Sequence, residues 1–127
     1  MPDEPQITRQ ILFIEDEPFI GELYTRALLK AGYQVRLVKD GKESYELAKS
    51  GNYDIILLDL MLPNLLGMQI LKQLRQEVPD LKSKIIIVTN LEQTGEQRAE
   101  IEKNADGYLI KAEITPKQLV AFLSKVE

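Results

Sequence analysis

Side chains capable of nucleophilic, acid–base or phosphate-binding chemistry stand directly after four short apolar segments of the 127-residue chain. In chain order these residues are Glu15, Asp16, Asp59, Thr89 and Lys111. In open α/β sheets, ligands bind beyond the carboxyl ends of the strands. If the apolar segments are neighbouring parallel strands, the five side chains therefore meet in one shallow pocket of carboxylates, a hydroxyl and an ammonium group.

Carboxylates that lie this close together repel one another. At an effective dielectric constant of 20, two charges ~4 Å apart cost on the order of 4 kcal/mol. A protein keeps such a group with a compensating cation, with a raised carboxyl pKa, or for a function. Hard oxygen ligands favour Mg²⁺, which binds through one or two carboxylates and a substrate phosphate. A carboxylate can also attack phosphorus, while Lys and Thr stabilise a phosphoryl group during transfer.

Each of these residues also has an ordinary structural explanation. Asp16 or Glu17 could cap the first helix and interact with its dipole. Asp59 could belong to a turn, Thr89 could cap a helix, and Lys111 could be a solvated charge. Taken singly, each residue is weak support for a site. Their common position at the ends of successive strands is much harder to attribute to chance.

The residue types that are missing narrow the chemistry further. The chain contains no Cys and no His, which excludes disulfides, thiolate nucleophiles, Ser-His triads and imidazole metal ligands. Lys and Arg number 16 against 20 Asp and Glu, for a net charge of −4, so direct nucleic-acid binding is not expected. No apolar run approaches the ~20 residues of a membrane helix, and the acidic N-terminus does not resemble a signal peptide. We therefore expect a cytoplasmic protein without a membrane partner.

The elements that must position these residues alternate along the chain as five strand–helix repeats. The predicted strands cover residues 11–14, 35–38, 55–58, 85–88 and 108–110. The predicted helices cover residues 18–31, 41–50, 66–78, 92–104 and 116–126. Pro18 suits a first helical turn, and Thr115 with Gln118 forms a capping box before the last helix.

Continuous rather than alternating hydrophobicity indicates strands that are covered on both faces, hence a parallel sheet between two helix layers. Right-handed crossovers leave few topologies. We predict an α/β fold: a flavodoxin-like (βα)5 doubly wound five-stranded parallel sheet, strand order 2-1-3-4-5, in a three-layer α/β/α sandwich. Residues 1–127 are expected to form one domain, with 1–9 as a flexible N-terminal segment.

The sequence resembles the response-regulator receiver domain of two-component signalling, over about residues 11 to 126. Four stretches carry the resemblance: ILFIEDEP at 11–18, DIILLDLMLP at 54–63, IIIVTN at 85–90 and GYLIK at 107–111. The resemblance implies a phosphoprotein similar to a chemotaxis-type single receiver, a signalling domain rather than an enzyme, which assists its own phosphorylation and dephosphorylation.

The resemblance also implies a role for each matching residue. Asp59 is the phosphoacceptor, and Thr89 and Lys111 contact the phosphoryl group. Tyr108 is the aromatic switch that turns inward with Thr89. Mg²⁺, with Mn²⁺ as a substitute, is held by Glu15, Asp16, Asp59 and the backbone carbonyl of Met61. The structural alternatives are that Tyr108 packs as an ordinary strand residue and that the Met61 side chain belongs to the core.

The implied partners are other proteins. The phosphoryl donor is a sensor histidine kinase, a histidine phosphotransfer protein or a small phosphodonor. Phosphorylation then changes the surface of the fourth helix, fifth strand and fifth helix, which controls an effector protein or an output domain and can also form a dimer. The chain is either a stand-alone receiver or part of a longer regulator.

The sequence departs from the family pattern at several positions. Glu15 stands where Asp is commoner, which keeps the ligand type. Lys111 is followed by Ala112, where the family usually has Pro after a cis peptide bond. Without proline a cis bond would cost ~3 kcal/mol, so we predict that the Lys111–Ala112 bond is trans. Asn90 stands where a small residue is usual and is expected to narrow access to the phosphoacceptor. The loop at 63–67 lacks the common Asp before Gly and is expected to expose two leucines to a partner.

Three other functions are compatible with the predicted fold. A phosphorylation-independent receiver-like docking module would not need the acidic residues. A flavodoxin-type FMN binder would need a phosphate-binding loop after the first strand, where this chain has acidic residues. A Mg²⁺-dependent phosphatase would need a second Asp two residues after the nucleophile, and Met61 occupies that position.

Overall fold

Five parallel strands form the central sheet of the fold in a computed structural model. The structure describes residues 9–62, 67–90 and 95–126. The strands are β1 Gln10–Ile14, β2 Gln34–Val38, β3 Ile55–Leu58, β4 Lys84–Thr89 and β5 Gly107–Ile110. The helices are α1 Pro18–Lys30, α2 Gly41–Lys49, α3 Gly67–Glu77, α4 Gly95–Asn104 and α5 Pro116–Val126. The sheet order is β2-β1-β3-β4-β5, which confirms the predicted flavodoxin-like α/β topology.

The central strands β1, β3 and β4 are buried on both faces because helices cover both sides of the sheet. Ile11 and Phe13 of β1 pack with residues of α1 and α5, whereas Leu12 and Ile14 pack with residues of α2, α3 and α4. The burial of all four residues of β3 shows the same double coverage. Alternate side chains of a strand point to opposite faces, so a strand between two helix layers needs an apolar residue at every position.

Four of the five strands extend beyond the apolar runs that predicted them. Their first residues are Gln10, Gln34, Lys84 and Gly107, none of which carries a hydrophobic signal. These residues nevertheless take part in the parallel pairing, for example Gln10 with Gln34 and Ile55 with Lys84. Backbone pairing therefore continues to the amino-terminal edge of the sheet, where the side chains no longer need to be buried.

Two further differences concern the later part of the chain. Residues 91–94 lie outside the described residues, so the predicted start of the fourth helix at 92 is not tested, and the described helix is Gly95–Asn104. A short 3₁₀ turn over Lys111–Glu113 was not predicted. It follows β5 directly and carries Lys111 as its first residue.

Side-chain caps begin α1 and α5. The Glu17 carboxylate accepts hydrogen bonds from the backbone N–H groups of Phe19 and Ile20, so Glu17 rather than Asp16 caps α1. The predicted capping box of α5 is confirmed. Its two reciprocal bonds run from Thr115 N to Gln118 Oε1 at 2.8 Å and from Gln118 N to Thr115 Oγ1 at 3.1 Å.

The ends of the chain and the helix lengths bear on two other predictions. Residues 1–8 of the predicted flexible segment lie outside the described residues, while Arg9 forms an ion pair with Asp54 and accepts a hydrogen bond from Gln34 N. No helix in the described part of the chain has the length and apolar character that crossing a membrane requires.

Removal of the α5 cap tests this account of the helix start. We expect Thr115→Ala to lower the free energy of unfolding by about 1 kcal/mol, because a backbone N–H of the first turn loses its partner. Urea denaturation measures the change. Ser124→Ala is the matched control, since the Ser124 hydroxyl donates a hydrogen bond to the carbonyl of Ala121 within the same helix. Equal losses in the two variants would contradict the capping role.

Candidate functional site

The carboxyl ends of the strands open into one cleft. Among the described residues, eight line it: Glu15, Asp16, Glu17, Pro18, Asp59, Met61, Asn90 and Lys111. The strand register brings the ends level, because Ile14 pairs with Leu58 in the sheet. Hydrogen bonds then carry the ladder one residue past each strand, from Glu15 N to Val38 O and from Asp59 N to Ile14 O. The backbone is therefore fixed at Glu15 and Asp59, the first residues after β1 and β3.

The Asp59 carboxylate is buried and both of its oxygens are bonded. Its Oδ1 accepts hydrogen bonds from Thr89 Oγ1 at 2.8 Å and from the backbone N–H of Met61 at 3.0 Å. Its Oδ2 accepts a hydrogen bond from Lys111 Nζ at 2.7 Å. The side chain is thus held in one orientation by donors from β4, from the 3₁₀ turn and from its own loop.

Lys111 is 8% exposed, and its ammonium group forms ion pairs with both Glu15 and Asp59. Burial acts to lower the pKa of Lys111, but the bonds to Asp59 and Glu15 outweigh it and raise that pKa above its usual value. Burial raises the pKa of the Glu15 carboxyl, and the bond to Lys111 partly opposes this. The lysine therefore stays charged at neutral pH and is the compensating cation that the acidic residues need.

Three carboxylates of the cleft are close enough to share one cation. Glu15, Asp16 and Asp59 each offer an oxygen, and these oxygens lie within 4.8 Å of one another. Asp16 is the most exposed of the three, and because Glu17 caps α1, that task does not fall to Asp16. Hard oxygen donors of this kind fit Mg²⁺. The Met61 side chain is 55% exposed, so the alternative that it belongs to the core is wrong.

Comparison with known proteins identifies the family. The model of the response regulator receiver domain matches residues 11–124. This chain belongs to the receiver-domain family. Receiver domains serve two-component systems and typically bind Mg²⁺, in agreement with the acidic residues of this cleft. The expected membership, first inferred from four short stretches of sequence, is confirmed.

Two curated bacterial proteins are similar in sequence to this chain. Over 102 residues the chain is 37% identical to the transcriptional regulatory protein CusR of Escherichia coli, covering 80% of this chain and 44% of CusR. It is 39% identical to the response regulator ArlR of Staphylococcus saprophyticus, covering 80% of this chain and 45% of ArlR. The chain thus matches less than half the length of these relatives.

Solved receiver structures agree with the fold. The chemotaxis protein CheY4 of Vibrio cholerae superposes with a TM-score of 0.82 at 26% identity, covering 95% of this chain and all of CheY4 (100%). The BeF3-activated N-terminal receiver domain of Klebsiella pneumoniae RstA gives 0.79 at 29% identity, with 92% and 97% covered.

Tyr108 is the one predicted site residue of this receiver that stands apart from the cleft. Its half-buried ring packs against the core on the α4 side, and the guanidinium carbon of Arg98 lies 4.1 Å from the ring centroid. The other predicted residues are brought together around Asp59. Among the positions where a departure from the family pattern was expected, Asn90 lines the cleft, and its narrowing of access to Asp59 stays a prediction. The Lys111–Ala112 bond is trans as predicted, and residues 63–66 lie outside the described residues.

Gly67 is a residue whose importance to this receiver the sequence reasoning missed. It begins α3, donates its N–H to the carbonyl of Leu60, and lies against the backbone beside the site. A Cβ at this position would lie 2.0 Å from the Asp59 carbonyl oxygen and 2.7 Å from Leu60 Cα. A glycine in the first turn of a predicted helix was the available signal, but only the folded chain shows what it touches.

Substitution of this glycine should therefore disturb the loop that begins at Asp59. We expect Gly67→Ala to lower the free energy of unfolding by at least about 2 kcal/mol, because the obstructing atoms are backbone and cannot rotate away. Thermal or urea denaturation measures the loss. Gly21→Ala is the control, since its new Cβ would meet the flexible Leu37 side chain at 3.0 Å and Glu15 Cγ at an ordinary contact distance of 3.8 Å, with no backbone atom in the way. A Gly67→Ala protein as stable as the control would show that the loop yields freely.

Proposed function

We propose that this receiver is a Mg²⁺-dependent phosphoacceptor switch in which Asp59 takes the phosphoryl group. The single observation that carries the proposal is the bonding of Asp59: one carboxylate held by a hydroxyl, an ammonium group and a backbone N–H, beside two further carboxylates. A structural carboxylate would be stabilised by the donors alone. Lys111 supplies one positive charge to Glu15 and Asp59, whereas three carboxylates lie together, so a bound cation would offset the negative charge that remains.

The reaction is a displacement at phosphorus. A carboxylate oxygen of Asp59 forms the new O–P bond while the bond to the donor breaks, and the electron pair leaves with the donor. The donor is a phosphohistidine of a sensor histidine kinase or of a histidine phosphotransfer protein, since this chain has no His, or a small phosphodonor such as acetyl phosphate. An acyl phosphate on Asp59 is the product.

Lys111 and Thr89 stabilise the negative charge that is redistributed during this step. In the described state their donor groups bond to the Asp59 carboxylate at 2.7 and 2.8 Å. As the carboxylate becomes an ester-like acyl group, the same ammonium and hydroxyl groups can donate to the phosphoryl oxygens instead. Such preplaced donors are most of what phosphoryl transfer requires of a protein.

Glu15, Asp16 and Asp59, with the backbone carbonyl of Met61, would hold the metal ion. When bound, Mg²⁺ offsets the negative charge of the incoming phosphate. The acidic residues by themselves would repel that phosphate, which explains why phosphorylation should depend on the ion. Mn²⁺, which also prefers oxygen ligands, should substitute.

The output is a change in the surface formed by α4, β5 and α5. Thr89 lies at the end of β4 and Tyr108 begins the neighbouring strand's apolar run, so movement of Thr89 towards the phosphoryl group is coupled to Tyr108 through the β4–β5 pairing. The relatives CusR and ArlR are a transcriptional regulatory protein and a response regulator. We infer that this surface controls an effector or an output domain, by direct contact or by dimerisation.

The residues of the site, rather than the fold, distinguish a phosphoacceptor from a docking module. One structural neighbour, with a TM-score of 0.81 and 27% identity, belongs to a family of streptococcal redox sensors that evolved from two-component response regulators. The receiver fold therefore also serves other signals. This chain has no Cys, whereas Asp59, Thr89 and Lys111 are bonded to one another, and that favours phosphorylation.

Intact mass spectrometry after incubation with acetyl phosphate and Mg²⁺ tests the proposed reaction. We expect a gain of about 80 Da, one phosphoryl group, that disappears without Mg²⁺ and in Asp59→Asn. Asp54→Asn is the matched control, because Asp54 lies at the opposite edge of the sheet, where it bonds Gln10 N. If neither acetyl phosphate nor a phosphohistidine protein adds mass, and beryllofluoride does not bind, the docking module becomes the better explanation.

Binding of the metal ion should be visible in stability without any phosphodonor. At 100 times its Kd, Mg²⁺ should raise the free energy of unfolding by about 2.7 kcal/mol, because only the folded chain assembles the three carboxylates. In Asp16→Asn most of this increment should vanish at the same concentration, while the metal-free variant should be no less stable than the native chain, since a repulsion is removed. Urea denaturation with and without Mg²⁺ compares them, and an undiminished increment would count against Asp16 as a ligand.

A further inference from the structure

The Asn90 side chain continues the β4–β5 hydrogen-bond ladder beyond the end of the sheet. The last paired residues of these strands are Thr89 and Ile110. One residue further on, Asn90 Oδ1 accepts a hydrogen bond from the backbone N–H of Ala112 at 2.9 Å. A side-chain amide here does what a backbone carbonyl does within the sheet, and it joins the end of β4 to the 3₁₀ turn after β5.

This bond supports the turn that carries the lysine of the site. Lys111 begins the 3₁₀ turn, and the residue before it, Ile110, makes no side-chain capping bond. The first N–H groups of a helical turn have no partner within the turn, so they need one from outside. Asn90, which follows the neighbouring strand β4, supplies that partner for Ala112.

Lys111 is consequently held on both sides along the backbone. Ile110 is paired with Thr89 in the sheet, and Ala112 is bonded to Asn90. Between them, the buried Lys111 extends its ammonium group to Asp59 and Glu15. A lysine side chain has many rotamers, so a fixed backbone is what limits where its ammonium group can lie.

We infer that Asn90 is a positioning residue for phosphoryl transfer, which sets the place of the Lys111 ammonium through its bond to the Ala112 N–H. The inference rests on the proposed function of Asp59 and Lys111. Thr89 bonds Asp59 directly. Its neighbour Asn90 acts through the backbone on Lys111, the other side-chain donor to Asp59. Because the reacting groups must be aligned closely, a small displacement of the ammonium slows transfer out of proportion to any loss of stability.

The test uses four variants of the full chain: Asn90→Ala, Ala112→Pro, the double variant, and Asn52→Ala as an asparagine control in the loop before β3. Ala112→Pro removes the N–H donor and also restricts the Lys111 backbone, so its effect on the phosphorylation rate by itself is not informative. The informative comparison is between the effect of Asn90→Ala in the native chain, which has the donor, and its effect in the Ala112→Pro chain, which lacks it. The measurements are the phosphorylation rate with acetyl phosphate and Mg²⁺, and NMR of the Ala112 amide and the Lys111 side chain.

We expect Asn90→Ala to slow phosphorylation roughly 5- to 10-fold, to speed exchange of the Ala112 amide hydrogen at least about 10-fold, and to shift the Lys111 side-chain signals. In the proline background the same substitution should change the rate less than about twofold. Asn52→Ala should leave the rate unchanged. Urea denaturation of each variant separates a slower reaction from a less stable protein.

The outcomes for the inference and for the proposed function differ. If Asn90→Ala leaves amide exchange and the Lys111 signals unchanged, or slows the reaction equally in the proline background, Asn90 does not position Lys111. If the native chain takes no phosphoryl group, the proposed function fails. The NMR changes in Asn90→Ala would then still support the positioning of Lys111 by Asn90.

Discussion

The ion pairs of Lys111 with Glu15 and Asp59 are the interaction on which the rest of the site depends. Two buried carboxylates beside a third would be strongly unfavourable without a cation, and the ammonium group supplies it. The arrangement is balanced only while all partners are present. Such a site is therefore sensitive to any new charge, and a phosphoryl group on Asp59 is a new charge.

The order of the strands explains which residue type stands at each strand end. Neighbouring strands lie about 4.8 Å apart, and β4 separates β5 from β3. The short hydroxyl of Thr89 reaches Asp59 from the adjacent strand, whereas the more distant strand needs a side chain as long as that of Lys111. Asn90 and Ala112 then tie the two loops together. Both stand at positions where the resemblance implies a departure from the family pattern, and one hydrogen bond joins them.

Burial is unevenly distributed, and the unevenness matches the division between the site and the proposed output surface. Every residue of β3 is buried, whereas β5 is an edge strand with only Ile110 fully buried. Helix α4 has Ile101 as its buried residue, and Arg75 of α3 bonds the carbonyl of Asn104 at its C-terminal end. Elements with little buried apolar surface are the ones that rearrange at low cost. The α4–β5 region can therefore respond while the β1–β3–β4 centre keeps the carboxylates in place.

The sequence by itself determined the strand–helix alternation, the parallel sheet and the end at which chemistry is expected. Continuous apolar runs are required by strands buried on both faces, and local capping residues such as Thr115 act within one helical turn, so both signals are present in short stretches of chain. Acidic, hydroxyl and lysine residues after successive strands predicted the components of the site for the same reason. Polar strand starts such as Lys84 carried no such signal, because backbone pairing does not require an apolar side chain.

Only the tertiary structure decided how those components are connected. Whether Asp16 or Glu17 caps α1 depended on the path of the chain after β1, and the answer left Asp16 with the other carboxylates. The close approach of Gly67 to Asp59, the position of Tyr108 beneath Arg98 and the bond from Ala112 to Asn90 all join residues distant in sequence or separated by a loop. Such contacts are properties of packed distances and directions in space, which residue types and their spacing do not contain.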